Sequence, residues 1–217
     1  MKTISYPLLL AEFLGSLILT MAVIGSGIMA TQLTDDVGLQ LTMNMLTTVM
    51  VLFLLISMLG PISGGHFNPA VSMVFYITKG ISLSLFAGFA FVQIVGAITG
   101  AVLANLMFDL PTVFSTTERM GAGLVVSELI ATSGLILTIL LLIKHNRSLV
   151  AVGVASWIGA AYIFSSSTSF ANPAITVGRV FSESFAGISV SSAGVFIGLQ
   201  LVAAVIGLGV YKLLERE

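Results

Sequence analysis

The sequence contains no cysteine, which excludes disulfides, thiolate metal sites and thiol nucleophiles from the outset. Charge is scarce as well. Asp, Glu, Lys and Arg together make up 8% of the 217 residues, where soluble domains carry about 25%. Eight Lys and Arg against nine Asp and Glu leave no basic footprint for nucleic acid, and none is expected as a partner. Two histidines, His66 and His145, offer little to a metal, so no metal site and no cofactor is expected. What the chain has in quantity is apolar: 57% hydrophobic residues and a mean hydropathy of +1.13. That balance excludes an ordinary soluble enzyme and a disordered chain. A lipid bilayer is the solvent that suits such a surface.

A helix that spans a bilayer needs about 20 apolar residues. Windows at roughly 7–30, 38–59, 82–107, 121–143, 149–167 and 190–213 meet that length. The first is read as an uncleaved span, because its apolar run is long, contains Glu12 and lacks a small-residue cleavage site. Lys/Arg placement sets the orientation. With both termini cytoplasmic, Lys2, Lys79, Lys144, Arg147, Lys212 and Arg216 fall inside, and only Arg119 and Arg179 fall outside. The expectation is a multi-pass protein of the cell membrane, in contact with lipid.

Two apolar stretches, 60–80 and 165–189, are too short to cross alone, and each contains Asn-Pro-Ala: Asn68-Pro69-Ala70 and Asn172-Pro173-Ala174. Other features recur in the same order. Glu12 in AEFLGSLILT is echoed by Glu128 in SELIATSGLILT, and Gln93 in FVQIVGAITGA by Gln200 in GLQLVAAVIGL. The chain therefore reads as a single domain, 1–217, of two repeats, 1–110 and 111–217. Three spans per repeat is an odd number, so the second repeat must be inverted, and its short segment enters from the opposite face. Inverted repeats with interrupted helices place function near the bilayer midplane.

Asparagine is a favoured N-cap and proline a favoured first helical residue, so each triplet marks a helix start. Half-helices over 69–79 and 173–183 would each be about 15 Å long and, tip to tip, would match the hydrocarbon thickness of about 30 Å. Ser63-Gly64-Gly65-His66 and Ser167-Thr168-Ser169-Phe170 are expected to be extended, which is tolerated at that depth only against protein or a wet cavity. Each helix start carries about +0.5 charge, so two facing tips repel cations. Asparagine amides between them would hold the oxygen of a neutral molecule and break a proton wire. Asn-Pro is also ordinary turn chemistry. Its occurrence twice, at matching inter-span positions, favours the paired reading.

The stretches SGGHFNPAVS and SFANPAITVGR, together with Glu12 and Glu128, resemble the major intrinsic protein family of aquaporins and aquaglyceroporins. The resemblance covers the whole chain. It implies an all-α membrane fold of six transmembrane helices plus two re-entrant half-helices, and a homotetramer with one pore per subunit. Asn68 and Asn172 become the central pore donors, Pro69, Ala70, Pro173 and Ala174 the half-helix starts, and Gly64, Gly65 and His66 sources of backbone carbonyls on the cytoplasmic side. Glu12 and Glu128 become acceptors for the re-entrant loops; proton relay is the alternative for such buried acids.

The family usually carries arginine directly after the second triplet. Ile175 stands there instead, and Arg179 follows one turn later, nearer the outer mouth. Family spacing points to Thr48, Ala160 and Ser169 as the other members of the selectivity filter. Thr48 also belongs to a polar stripe with Gln40, Asn44 and Thr47 on the second span, which faces either a cavity or a seam between helices. A filter of Thr48, Ala160, Ser169 and Ile175 is small and uncharged, favouring glycerol, urea or metalloid hydroxides, with water passing as well. SFANPAITVGRVFSESFAGI further resembles bacterial members whose genes accompany arsenic resistance. The competing readings are a water-selective channel, a gradient-coupled secondary transporter, an intramembrane enzyme, for which no catalytic motif is found, and a non-conducting scaffold of the same fold. Gly96/Gly100, Gly194/Gly198 and Ala203/Gly207 are expected to let helices cross closely, and His145 with Lys144 and Arg147 to mark a solvated cytoplasmic loop.

Overall fold

The tips of two short helices meet inside a ring of six long ones. The computed structural model describes residues 5–216; Lys2 of the charge pattern and both chain ends lie outside them. The long helices are α1 (Tyr6–Leu33), α2 (Val37–Ser63), α4 (Leu83–Met107), α5 (Ala122–His145), α6 (Val150–Phe164) and α8 (Val190–Leu214). The short ones are α3 (Pro69–Ile77) and α7 (Pro173–Arg179). All six long helices are apolar enough to cross a membrane, α6 counted with the 3-10 turn Arg147–Leu149 that leads into it. Their outward faces carry large exposed apolar side chains such as Met50, Phe53, Phe91, Leu103 and Val202.

Local sequence sets the helix starts. Asp36 caps α2 by accepting from Leu39 N, Ser82 caps α4 through Leu85 N, and Ser189 caps α8 through Ser192 N. Asn68 and Asn172 cap α3 and α7 through Ala70 N and Ala174 N, with Pro69 and Pro173 at the first helical position. Both half-helices stop earlier than the sequence suggests. At the end of α3, Lys79 turns left-handed at φ 61°, followed by Gly80. At the end of α7 the backbone tightens, with Val180 N bonding Val177 O. Nine and seven residues give about 14 and 10 Å, so the pair is shorter than the hydrocarbon thickness.

Packing is alike in the two halves of the chain. In the first half α1 packs on α2 and α4; in the second, α5 packs on α6 and α8. A Cβ on Gly100 would lie 2.2 Å from Leu17 O, so α1 and α4 cross at backbone contact only because glycine stands there. Gly207 brings α8 against Ser133 O of α5 in the same way. Gly194 and Gly198 correct the sequence expectation. Nothing lies within 4 Å of a Cβ at either, and both face outward. The lone Trp157 covers Gly134 of α5 and donates to Ala131 O at 2.8 Å.

Candidate functional site: the cavity beside the paired half-helices

α3 and α7 are joined by a reciprocal pair of hydrogen bonds. Asn68 Nδ2 donates to Ala171 O at 2.8 Å, and Asn172 Nδ2 donates to Phe67 O at 2.8 Å. Each amide carries two N–H groups, so one on each asparagine remains for a molecule in the cavity they both line. Pro69, Ala70, Pro173 and Ala174 are buried in the first turns and stay out of the cavity lining.

The loops that carry the asparagines are left-handed rather than extended. Gly64, Gly65 and Phe67 have φ of 112°, 65° and 47°; Thr168, Ser169 and Ala171 have 58°, 53° and 45°. A left-handed non-glycine residue costs about 1–2 kcal/mol, so something must hold it. Glu12 and Glu128, both fully buried, do so. Glu12 accepts from Ser63 Oγ, His66 N, Phe67 N and Gln93 Nε2; Glu128 accepts from Phe170 N, Ala171 N and Gln200 Nε2. The turn aims successive N–H groups at the carboxylate, which an extended strand cannot do. Gln93 and Gln200 each also donate to the hydroxyl at the second turn of their half-helix, Ser72 and Thr176. Neither glutamate lines the cavity.

The cavity, of about 90 Å³, runs past both asparagine tips. At one end it is bounded by Gly64, Gly65 and His66, whose ring stacks on Phe75 and meets Ser72 Oγ at 3.0 Å. A wider hollow of about 310 Å³ adjoins that end, sharing Ile56, Gly64, Ile143 and Val150, and reaches Arg147. At the other end stand Thr48, Tyr162, Ser169, Phe170, Ile175 and Arg179. Between them, helical rows spaced by four face inward, including Leu19 and Val23 of α1 and Leu135 and Ile139 of α5. The lumen is thus apolar along its length, with polar groups at the waist and at the two ends.

Profile comparison matches residues 2–168 to the family described as "Major intrinsic protein". The chain belongs to the major intrinsic protein family. An aquaglyceroporin, AqpS, of Rhizobium meliloti (strain 1021) is 43% identical over 93% of this chain and 87% of its own length. A probable TIP-type aquaporin of Medicago truncatula is 30% identical, covering 87% of this chain and 81% of its own. Among solved structures, the aquaglyceroporin from Plasmodium falciparum superposes with a TM-score of 0.69 over 94% of each chain at 21% identity, which speaks to the fold alone. The protein is accordingly a multi-pass membrane protein of a channel family, not an enzyme.

Within this major intrinsic protein, one residue assigned by family spacing lies elsewhere. Ala160 is exposed on the outer face of α6, away from the cavity. At about 100° per residue it sits on the far side from Val154, Ile158 and Tyr162, the row that lines the lumen. Tyr162 takes the place assigned to it, buried, with its hydroxyl 3.2 Å from Thr48 Oγ1. The polar stripe on α2 divides. Asn44 bonds across a seam to Val23 O and Ser26 Oγ, and Gln40 to Thr34 O, while Thr48 lines the cavity. Ile175 and Arg179 share the lining one turn apart. That end is therefore neither as small nor as uncharged as the sequence suggests. The row Val154, Ile158, Tyr162 is itself visible in the sequence and could have located Tyr162.

Proposed function

We propose that the protein is a passive channel for small neutral solutes, glycerol foremost, that also passes water. The observation that carries this is the reciprocal Asn68–Asn172 arrangement beside a cavity that is apolar along its length and polar at its waist and ends. At the outer end, Thr48, Tyr162, Ser169 and Arg179 supply polar groups, and Ile175 with Phe170 supplies apolar surface. A polyol needs both: donors and acceptors for its hydroxyls, and contact for its carbon backbone. The two half-helix starts, each with about +0.5 charge, disfavour cations at the waist. The aquaglyceroporin relative over nearly the whole chain supports the same reading.

Thr48, Tyr162, Ser169, Ile175 and Arg179 act as the selectivity filter in this account, Asn68 and Asn172 as central donors, and Gly64, Gly65 and His66 as the inner carbonyl ladder. The Lys79, Lys144, Arg147, Lys212 and Arg216 side is cytoplasmic. The assembly is a homotetramer in the cell membrane, in which exposed apolar rows such as Leu46, Met50 and Phe53 of α2 meet lipid or a neighbouring subunit.

A water-selective channel is the second reading, favoured by Tyr162 and Arg179 both lining the outer end. Stopped-flow light scattering of proteoliposomes separates the two. Swelling in inward gradients of glycerol and urea well above protein-free vesicles supports the solute channel. Water flux without glycerol flux supports the second reading. Uptake that requires a sodium or proton gradient overturns both.

A further inference from the structure

We propose that the outer end of the cavity is a binding subsite for a small monocarboxylate, centred on Arg179 and reinforced by Arg119. Arg179 is buried and lines the cavity, and its guanidinium carbon lies 3.4 Å from the centroid of Phe170. Its Nε donates to Ala186 O. Its two terminal nitrogens make no hydrogen bond among the described residues, so a planar pair of charged donors is left uncommitted beside the lumen. Arg119 lies over the same ring at 5.2 Å and is fixed from the loop between α4 and α5, donating through Nε to Gly187 O and through a terminal nitrogen to Phe185 O. Two guanidiniums thus share three successive backbone carbonyls, 185 to 187, and one aromatic ring.

Neither has a carboxylate partner among the described residues, where the ion pairs all involve Glu215 at the far end of the protein. The nearby acids are occupied otherwise: Glu118 accepts from the Ser191 and Ser192 hydroxyls, Glu183 from Thr116 N, and Glu128 from Phe170 N, Ala171 N and Gln200 Nε2. Ser169 lines the same end of the cavity, and its Oγ is buried with no partner. Free guanidinium donors are what a carboxylate satisfies, by a two-pronged charge-assisted bond. Ile175 and Phe170 close the rest of the subsite. That apolar surface favours a monovalent anion over a divalent one, whose dehydration costs far more. The positive half-helix starts beyond it do not oppose an anion either.

This inference rests on the channel reading for its functional meaning but is tested apart from it. Saturation-transfer NMR with formate on the detergent-solubilised protein, at constant ionic strength in chloride, measures occupancy without conduction. Formate contact is expected in the parent. Arg179→Gln should weaken it about tenfold, the loss of a charge-assisted pair. Arg119→Gln should weaken it about twofold, as a more distant charge, and serves if the first variant does not fold. No formate contact in the parent, or equal contact in the parent and in both variants, overturns the inference. Glycerol flux in the same preparation, slowed by formate, supports it further. Flux without formate binding sinks this inference alone, and formate binding without flux sinks the channel reading alone.

Discussion

Glu12 can be removed in two steps that separate acceptor chemistry from packing. Its two oxygens receive four donors: Ser63 Oγ and His66 N on Oε1, Phe67 N and Gln93 Nε2 on Oε2. Glutamine keeps one acceptor oxygen and turns the other into a donor. Gln93 can answer, because its Oε1 is buried without a partner and a flip of its amide presents that oxygen to the new NH2. Phe67 N has no such recourse. One buried N–H left unmet costs about 1–3 kcal/mol, and the left-handed Phe67 loses its tether at the same time. Alanine removes every acceptor and leaves Ser63, His66, Phe67 and Gln93 to find others in a dry interior, a loss upward of about 4 kcal/mol. Titration of the purified protein from mild detergent into dodecyl sulfate, followed by circular dichroism, reads the difference. Glu12→Gln is expected to fall about 1–3 kcal/mol below the parent and Glu12→Ala at least twice as far. If Glu12→Ala stays within about 0.5 kcal/mol, the level of an inert surface change, the glutamate does not hold the loop and the reasoning is wrong.

Tyr162→Phe removes only the hydroxyl that meets Thr48 and should cost about 0.5–1.5 kcal/mol, whereas Tyr162→Ala should cost about 3–5 kcal/mol and admit longer polyols, both read by solute-panel swelling and denaturation. Ile175→Arg puts a second guanidinium one turn from Arg179 in the same lining; glycerol flux should fall while water flux persists, and equal glycerol flux argues against Ile175 as a filter residue. Gly100→Ala forces α1 from α4 and should cost about 1–3 kcal/mol, while Gly194→Ala, with open space around its Cβ, should be neutral or gain up to about 1 kcal/mol in helix propensity. Hydrogen bonds from Lys144 and then His145 hold the Glu215 carboxyl below its usual range. The contribution of that clamp is present above the ordinary carboxylate pKa and is lost as pH falls through the lowered value, so hydrogen exchange at the end of α8 should rise at acid pH, and Glu215→Gln should remove the dependence.

The features that the sequence displays best are those set by local rules. Asn68 and Asn172 announce helix starts because capping depends on the residue itself and the two that follow. Glu12 and Glu128 stand out because a buried acid in an apolar run needs donors, and the paired loops supply them. The filter is less legible. Family spacing counts back to Ala160 across 165–172, a stretch of turns with no fixed period, and an error of two residues on a helix reverses the face. Tyr162 follows instead from the row it shares with Val154 and Ile158, which stays within one helix. Asn44 and Thr48 are one turn apart on α2, yet one serves a seam and the other the lumen. Only the approach of α1 at Val23 and Ser26 decides between them. The Arg119–Phe170–Arg179 stack joins segments that are distant in the chain, so no local pattern announces it.

The temperature dependence of glycerol permeability in proteoliposomes tests the pore itself. A path already formed beside Asn68 and Asn172 predicts a shallow dependence, far below that of protein-free vesicles of the same lipid, and indifference to ion gradients. A dependence as steep as that of the bare bilayer would contradict an open path beside the two half-helices.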